Sequence, residues 1–134
     1  MPERILLVLD RRPGWPGLAG WTLALARRLG ARVIAAGLLD TDAIPEGPQQ
    51  ESLVSELEEQ AWKLLYEVED RAFQQDVKIS LLVDQGAPID RLVELVTSYE
   101  VQLVVLTPGG PLDPAAVLER CPAPVVFVPE PKEG

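Results

Sequence analysis

Five short apolar segments, each separated from the next by a stretch with helical spacing, most constrain the fold of this chain. They cover residues 5–9, 32–40, 77–83, 101–106 and 125–128. Strands that alternate with helices require a parallel sheet with right-handed crossovers. Nearly continuous apolar runs are typical of strands that are buried on both faces. The sequence therefore predicts one α/β domain over residues 1–129, with a five-stranded parallel sheet covered by helices on both faces, and a frayed polar tail over 130–134.

Helical spacing also predicts which side chains face the sheet. The first helix is expected to bury Leu18, Trp21, Thr22, Leu25 and Leu29, and to end at Gly30. The long second helix is expected to bury Leu53, Leu57, Ala61, Leu64, Val68 and Ala72. A short last helix, capped by Asp113 with Pro114 in its first turn, is expected to bury Val117, Leu118 and Cys121.

Composition limits the function. The chain has 134 residues and a net charge of −9, which argues against nucleic acid or an anionic membrane as the main partner. The only local excess of positive charge lies in residues 1–34, which carry six arginines. An anion site is therefore expected near the first strand and helix.

The chain has no histidine and one cysteine, Cys121. Without histidine, neither a Ser-His nor a Cys-His nucleophile pair can form, and with one cysteine a structural zinc site is excluded. No internal disulfide can form either, which fits a reducing, cytoplasmic setting. We therefore expect a cytoplasmic protein that is not an enzyme and holds no metal.

Three stretches resemble the universal stress protein family. The first is LALARRLGARVIAAGLLD after a strand ending in Asp10, the second is GAPIDRLVELVTSYEVQLVVL, and the third is CPAPVVFVPEP. The resemblance implies a doubly wound sheet in the order 3-2-1-4-5, a homodimer and a regulatory role in stress. It also implies a ligand crevice at the carboxyl ends of strands 1 and 4, where many members bind ATP and where open α/β sheets bind ligands generally.

The ATP signature of the family is incomplete here. It reads Gly, two residues, Gly, nine residues, Gly, then Ser or Thr, and its first two glycine positions fall on Thr107 and Gly110. The third glycine and its hydroxyl neighbour fall on Arg120 and Cys121. The carboxylate of Asp113, near the expected phosphate position, would repel a phosphate. No cofactor is therefore expected, and ATP, if it binds, is expected to bind weakly.

What remains is a vestigial nucleotide or anion crevice. Its expected members are Asp10, Arg11, Arg12, Leu38, Thr107, Gly109, Gly110 and Asp113. Each residue also has a structural explanation: Asp10 can cap its own loop, Gly109 and Gly110 can form a tight turn, and the two arginines can pair with carboxylates. Both interpretations stay open at this point.

Three functions compete. The leading one is a non-enzymatic dimeric stress-response module, and the second is an ATP-binding member with a modified phosphate loop. The third is a flavodoxin-like phosphoacceptor domain, for which Asp10 and Asp84 supply two acidic positions but Pro129 replaces the required lysine. The homodimer is expected to form through strand 5 (Val125, Val126, Phe127 and Val128), an apolar edge without a charged residue. A protein partner of another kind is left open.

Overall fold

The computed structural model describes residues 2–10, 12–109 and 112–130. The elements, in chain order, are β1 (Arg4–Leu9), α1 (Trp15–Leu29), β2 (Arg32–Leu39), α2 (Gln50–Gln74), β3 (Ile79–Gln85), α3 (Pro88–Ser98), β4 (Leu103–Leu106), α4 (Pro114–Arg120) and β5 (Val125–Phe127). A single 3₁₀ turn, Thr41–Ala43, lies in the loop between β2 and α2. All five strands are parallel and their order is β3-β2-β1-β4-β5. This order confirms the predicted doubly wound sheet.

The core consists of two layers, one on each face of the sheet. Ile5, Leu7 and Leu9 of β1 pack against buried residues of α1 and α2, whereas Leu6 and Val8 pack against those of α3 and α4. Successive strand residues point to opposite faces, so each layer takes every second residue of β1. Residues 5–9 are all buried, because β1 is the central strand and helices cover it on both sides.

Three of the predicted inward-facing side chains are exposed instead. Trp21 is 44% exposed, because α1 buries the neighbouring stripe that contains Leu18, Ala19, Thr22, Leu23 and Ala26. Leu53 is 42% exposed, because it lies in the first turn of α2, two turns before the first buried residue, Ala61. Leu118 is 61% exposed, because the seven-residue α4 buries only Val117.

Three helices return to the sheet through the same turn. Each ends in a residue with left-handed backbone, followed by a residue whose N–H bonds five positions back, the Schellman arrangement. The left-handed residues are Gly30 (φ 65°), Asp76 (φ 59°) and Glu100 (φ 53°). The bonds are Ala31 N–H to Ala26 O at 2.9 Å, Val77 N–H to Ala72 O at 2.9 Å and Val101 N–H to Val96 O at 3.0 Å. These turns lie at the amino ends of β2, β3 and β4, opposite the crevice.

Candidate functional site

The crevice lies between β1 and β4, at the point where the strand order reverses. β1 pairs with β2 on one side and with β4 on the other, so the loops that follow β1 and β4 diverge at their carboxyl ends. Asp10 and Arg12 follow β1, and Thr107 and Gly109 follow β4. The fold therefore brings four of the predicted crevice residues together. Arg11 and Gly110 lie outside the described residues.

The side chain of Arg12 spans this crevice. Its Nη1 donates to the carbonyl of Pro108 at 2.9 Å, and its Nη2 donates to the carbonyl of Thr107 at 2.8 Å. On the near side, its Nε donates to Oδ2 of Asp10 at 2.8 Å. The guanidinium thus connects the end of β1 to the end of β4, and we call this arrangement the Arg12 bridge.

Two carboxylates form ion pairs with the guanidinium of Arg12. Oδ2 of Asp10 lies 2.7 Å from Nη2, and Oε1 of Glu130, just after β5, lies 3.4 Å from Nε. Oδ1 of Asp10 accepts from the backbone N–H of Arg12 at 2.9 Å, so both oxygens of Asp10 are engaged. The hydrogen bond to Asp10 raises the pKa of the Arg12 guanidinium, against the lowering effect of partial burial; the charges of Asp10 and Glu130 raise it further.

Gly109 makes room for the guanidinium. Its φ is +126°, a conformation that side chains rarely adopt, and a Cβ there would lie 2.8 Å from Nη1 of Arg12. Its N–H donates to Leu112 O at 3.4 Å, and Leu112 N–H donates back at 3.2 Å. The conformation of Gly109 therefore allows both the local bridge to Leu112 and the close contact with Arg12. The amide of Gly109 already donates a hydrogen bond within that bridge.

Asp113 and the positions of the missing glycine signature lie on α4. Asp113 caps the helix, since its carboxylate accepts from Ala116 N–H at 3.2 Å, as expected. Arg120 and Cys121 lie at the opposite, carboxyl end of α4, where Nη1 of Arg120 pairs with Asp90 at 2.6 Å. The positions that would carry the third glycine and the hydroxyl are therefore not at a helix start.

Leu38 lies on the other side of the crevice, away from the Arg12 bridge. With Leu9, Asp10, Asp40 and residues 57, 61, 64 and 65 of α2, it lines a cavity of about 230 Å³, which we call the β2 pocket. The wall is mostly aliphatic, and Asp10 and Asp40 supply its carboxylates. Gly37 also lines it, and a Cβ there would lie 3.3 Å from that of Ala61, so glycine allows α2 to approach β2 closely.

The sequence did not predict three partners of Arg12: two backbone carbonyl groups and the carboxylate of Glu130. The carbonyl oxygens of Thr107 and Pro108 carry no signal in the sequence, because every residue has such a group and these lie 95 and 96 positions away. Glu130 offered a weak signal, as an acidic residue directly after the closing strand. It was assigned to the frayed tail, of which residues 131–134 lie outside the described residues.

The strand order separates the acidic residues that a phosphoacceptor domain requires. Asp84 lies near the end of β3, and β2 stands between β3 and β1. Asp10 is already paired with Arg12, and Asp84 accepts from the N–H of Gln85 at 2.9 Å. Nothing in this geometry favours the phosphoacceptor hypothesis.

The described residues offer neither a metal site nor a membrane-spanning helix. Over 2–10, 12–109 and 112–130, no three His, Cys, Asp or Glu side chains are grouped so that they could hold a metal ion. Within the same ranges, no helix combines the length and the apolar character that a membrane crossing requires.

The comparison with known protein families agrees with the resemblance seen in the sequence. The family model described as "Universal stress protein family" matches residues 1–129. No curated protein sequence matches the chain significantly.

Solved structures of this family share the fold. A universal stress family protein from Burkholderia pseudomallei is 20% identical with a TM-score of 0.83, over 95% of this chain and 96% of that one. An Arabidopsis thaliana member solved with AMP bound is 13% identical with a TM-score of 0.77, over 98% and 94%. A universal stress protein in complex with cAMP is 20% identical with a TM-score of 0.72, over 97% and 98%.

Proposed function

The chain belongs to the universal stress protein family, and on that basis we propose that it is a non-enzymatic, dimeric regulatory protein whose crevice does not bind ATP tightly. The observation that supports this proposal is the Arg12 bridge. Its guanidinium lies between the ends of β1 and β4, the place where the family's fold offers room for a nucleotide.

A triphosphate would meet an unfavourable surface at the bridge. The carbonyl oxygens of Thr107 and Pro108 point at Arg12, and Asp10 and Glu130 add negative charge around it. To gain Arg12 as a ligand, a phosphate must replace its bonds to Asp10 and the two carbonyls. Because the Arg12 side chain is about one-third exposed, these bonds together contribute about 1 kcal/mol net, so the bridge weakens binding by roughly fivefold.

The first test is calorimetry with Mg-ATP. We expect no site tighter than ~100 μM, which corresponds to about −5.5 kcal/mol. Asp10→Ala should strengthen nucleotide binding, because it removes a carboxylate and one of the bonds that a phosphate must replace, whereas Asp70→Ala, at an exposed position of α2, should change nothing. A low-micromolar isotherm for the unmodified protein would contradict the proposal.

The β2 pocket favours a second candidate, a site for a nucleotide with fewer phosphates. Its aliphatic wall and volume of about 230 Å³ remain open beside the bridge. Two structural neighbours are described as bound to AMP and cAMP. AMP should then bind more tightly than ATP, and Leu57→Arg, on the α2 wall of the pocket, should abolish the binding. Equal, weak responses to both nucleotides would exclude it.

The dimer is proposed to form through β5. Val104 N–H bonds to Pro124 O and Val128 N–H bonds to Leu106 O, both at 2.9 Å. Because N–H groups alternate along a strand, Val126 also faces β4, whereas Val125 and Phe127 point their N–H groups away from the sheet. An antiparallel copy would pair those outward groups in a closed two-fold contact.

Proline substitution distinguishes the two kinds of position. Phe127→Pro removes an outward donor and should give a folded monomer, whereas Val126→Pro removes a bond to β4 and should damage the fold. Sedimentation of the unmodified protein at micromolar concentration should show a dimer. A dimer that survives Phe127→Pro would place the interface elsewhere.

A further inference from the structure

The opposite edge of the sheet is formed by β3, and its outer side is unpaired in the described structure. Val33 N–H bonds to Lys78 O, and Gly86 N–H bonds to Leu39 O at 3.1 Å. By alternation, the even-numbered residues of β3 bond to β2, and Ile79, Leu81 and Val83 direct their N–H groups outward. The strand has seven residues and contains neither lysine nor proline, and its one charged residue, Asp84, lies near its carboxyl end, so residues 79–83 remain able to pair with another strand.

One flank of α2 runs beside this edge. Glu58 accepts from the side-chain amide of Gln85, which fixes the flank next to the carboxyl end of β3. Further along the helix, Trp62 and Tyr66 stack with ring centroids 5.8 Å apart. Tyr66 is 55% exposed, and Phe73, in the last turn, is 87% exposed. The chain has only seven aromatic residues, so three on one flank form a concentrated apolar surface.

We call the surface between this flank and β3 the β3 edge groove. At its end near Phe73 it includes a depression of about 530 Å³, lined also by Glu69, Asp70, Asp76 and Lys78. Carboxylates outnumber cations there, and α2 as a whole carries seven acidic and two basic residues. Exposed aromatic rings within an acidic field attract a partner with apolar and basic side chains.

We propose that the β3 edge groove binds an extended, basic segment of a different protein, which adds to the sheet as a sixth strand next to β3. Main-chain bonds to Ile79, Leu81 and Val83 would hold the segment. Its apolar side chains would pack on Tyr66 and Phe73, and its basic ones would pair with Glu58, Glu69 and Asp70. This proposal does not depend on whether the crevice binds a nucleotide or whether β5 forms a dimer.

Charge argues against a second copy of this chain as the occupant. Two copies that met through β3 would bring two α2 helices together, and each carries an excess of carboxylates. Like charges opposed at an interface oppose association. The β5 edge lacks such a field, because residues 125–128 are all apolar.

The test uses a short peptide of alternating lysine and valine, with a peptide of alternating glutamate and valine as the control. It is added to isotope-labelled protein and followed by amide NMR spectra. We expect shifts in β3 and in the last turns of α2, with slower hydrogen exchange at Leu81 and Val83. Phe73→Ala should weaken binding about fivefold, and Glu69→Lys about tenfold.

Two matched variants serve as controls on the β5 side of the molecule. Leu118→Ala removes another exposed apolar side chain, and Glu119→Lys reverses another exposed charge, both on α4. Both should leave peptide binding unchanged. The proposal would be overturned if the acidic peptide bound as tightly as the basic one, or if the shifts were confined to β5. It would also be overturned if the α4 variants weakened binding as much as the α2 variants. So would concentration-dependent shifts in β3 without peptide, which would identify a second copy as the occupant.

Discussion

The two sides of the crevice are built in different ways, although both are formed by the end of β1. On the β4 side, the Arg12 bridge fills the space with a charged side chain, its three hydrogen-bonding partners and the nearby carboxylate of Glu130. On the β2 side, Gly37 and Ala61 bring the backbones close, and the β2 pocket stays open above aliphatic walls. One side is closed by polar contacts that an anion could compete for, and the other is shaped by packing.

The largest effect should come from the packed side. Leu65 is fully buried and also forms part of the wall of the β2 pocket. Leu65→Ala should lower the free energy of unfolding by about 3 kcal/mol, since it removes core contacts and leaves a cavity. Leu64→Ala, on the same wall but only half-buried, should cost less than half as much. Denaturant unfolding measures both, and equal costs would contradict the claim that burial sets the difference between the two positions.

Gly109→Ala should have the next largest effect. It forces a side chain into φ +126° and places a Cβ 2.8 Å from Nη1 of Arg12. Strain of this kind costs on the order of 1–3 kcal/mol. Gly20→Ala, in α1 with no atom within 4 Å of the new Cβ, should instead stabilise slightly because alanine favours helix. Combined with Arg12→Ala, the cost of Gly109→Ala should fall, and strict additivity would show that the two do not touch.

The smallest effect should come from Arg12→Ala alone. The bridge is about one-third exposed, so its loss should cost about 1 kcal/mol. Arg120→Ala, which breaks a more exposed pair with Asp90, should cost less. High salt should reduce the stability lost on Arg12→Ala only in part, because two of the bonds of Arg12 go to uncharged carbonyl groups. If this stability cost disappeared at high salt, the bridge would contribute no more than an ordinary surface ion pair.

The sequence predicted the elements and the sheet well for a physical reason. Apolar runs such as residues 5–9 reflect burial on both faces, and Asp113 with Pro114 marks a helix start through local bonding alone. The prediction of burial was wrong for Trp21, Leu53 and Leu118. Helical spacing predicts a buried stripe, but it does not give the exact centre of that stripe or how far the sheet extends beneath the helix.

The candidate site was less predictable. Arg12 was expected in the crevice, with an anion or a carboxylate as alternative partners. Its contact with Asp10 is local and falls within the second alternative. Its bonds to Thr107 and Pro108 depend on tertiary structure, since β4 must first pair with β1 before those carbonyls come within reach. The contact between Gly109 and Arg12 likewise depends on tertiary structure, whereas the turn at Gly109 is local, since its backbone bonds join it to Leu112.

The three helix-to-strand turns at the opposite end of the sheet have a consequence for how this fold can vary. One backbone geometry recurs there with glycine, aspartate and glutamate in the left-handed position, so the geometry does not depend on one residue type. Among the described residues, the carboxyl ends show no such repetition: the 3₁₀ turn Thr41–Ala43 follows β2, and the bridge between Gly109 and Leu112 follows β4. Substitutions can therefore accumulate at the far end while the scaffold keeps its dimensions, and the crevice can change its chemistry without a change in the spacing of the strands that carry it.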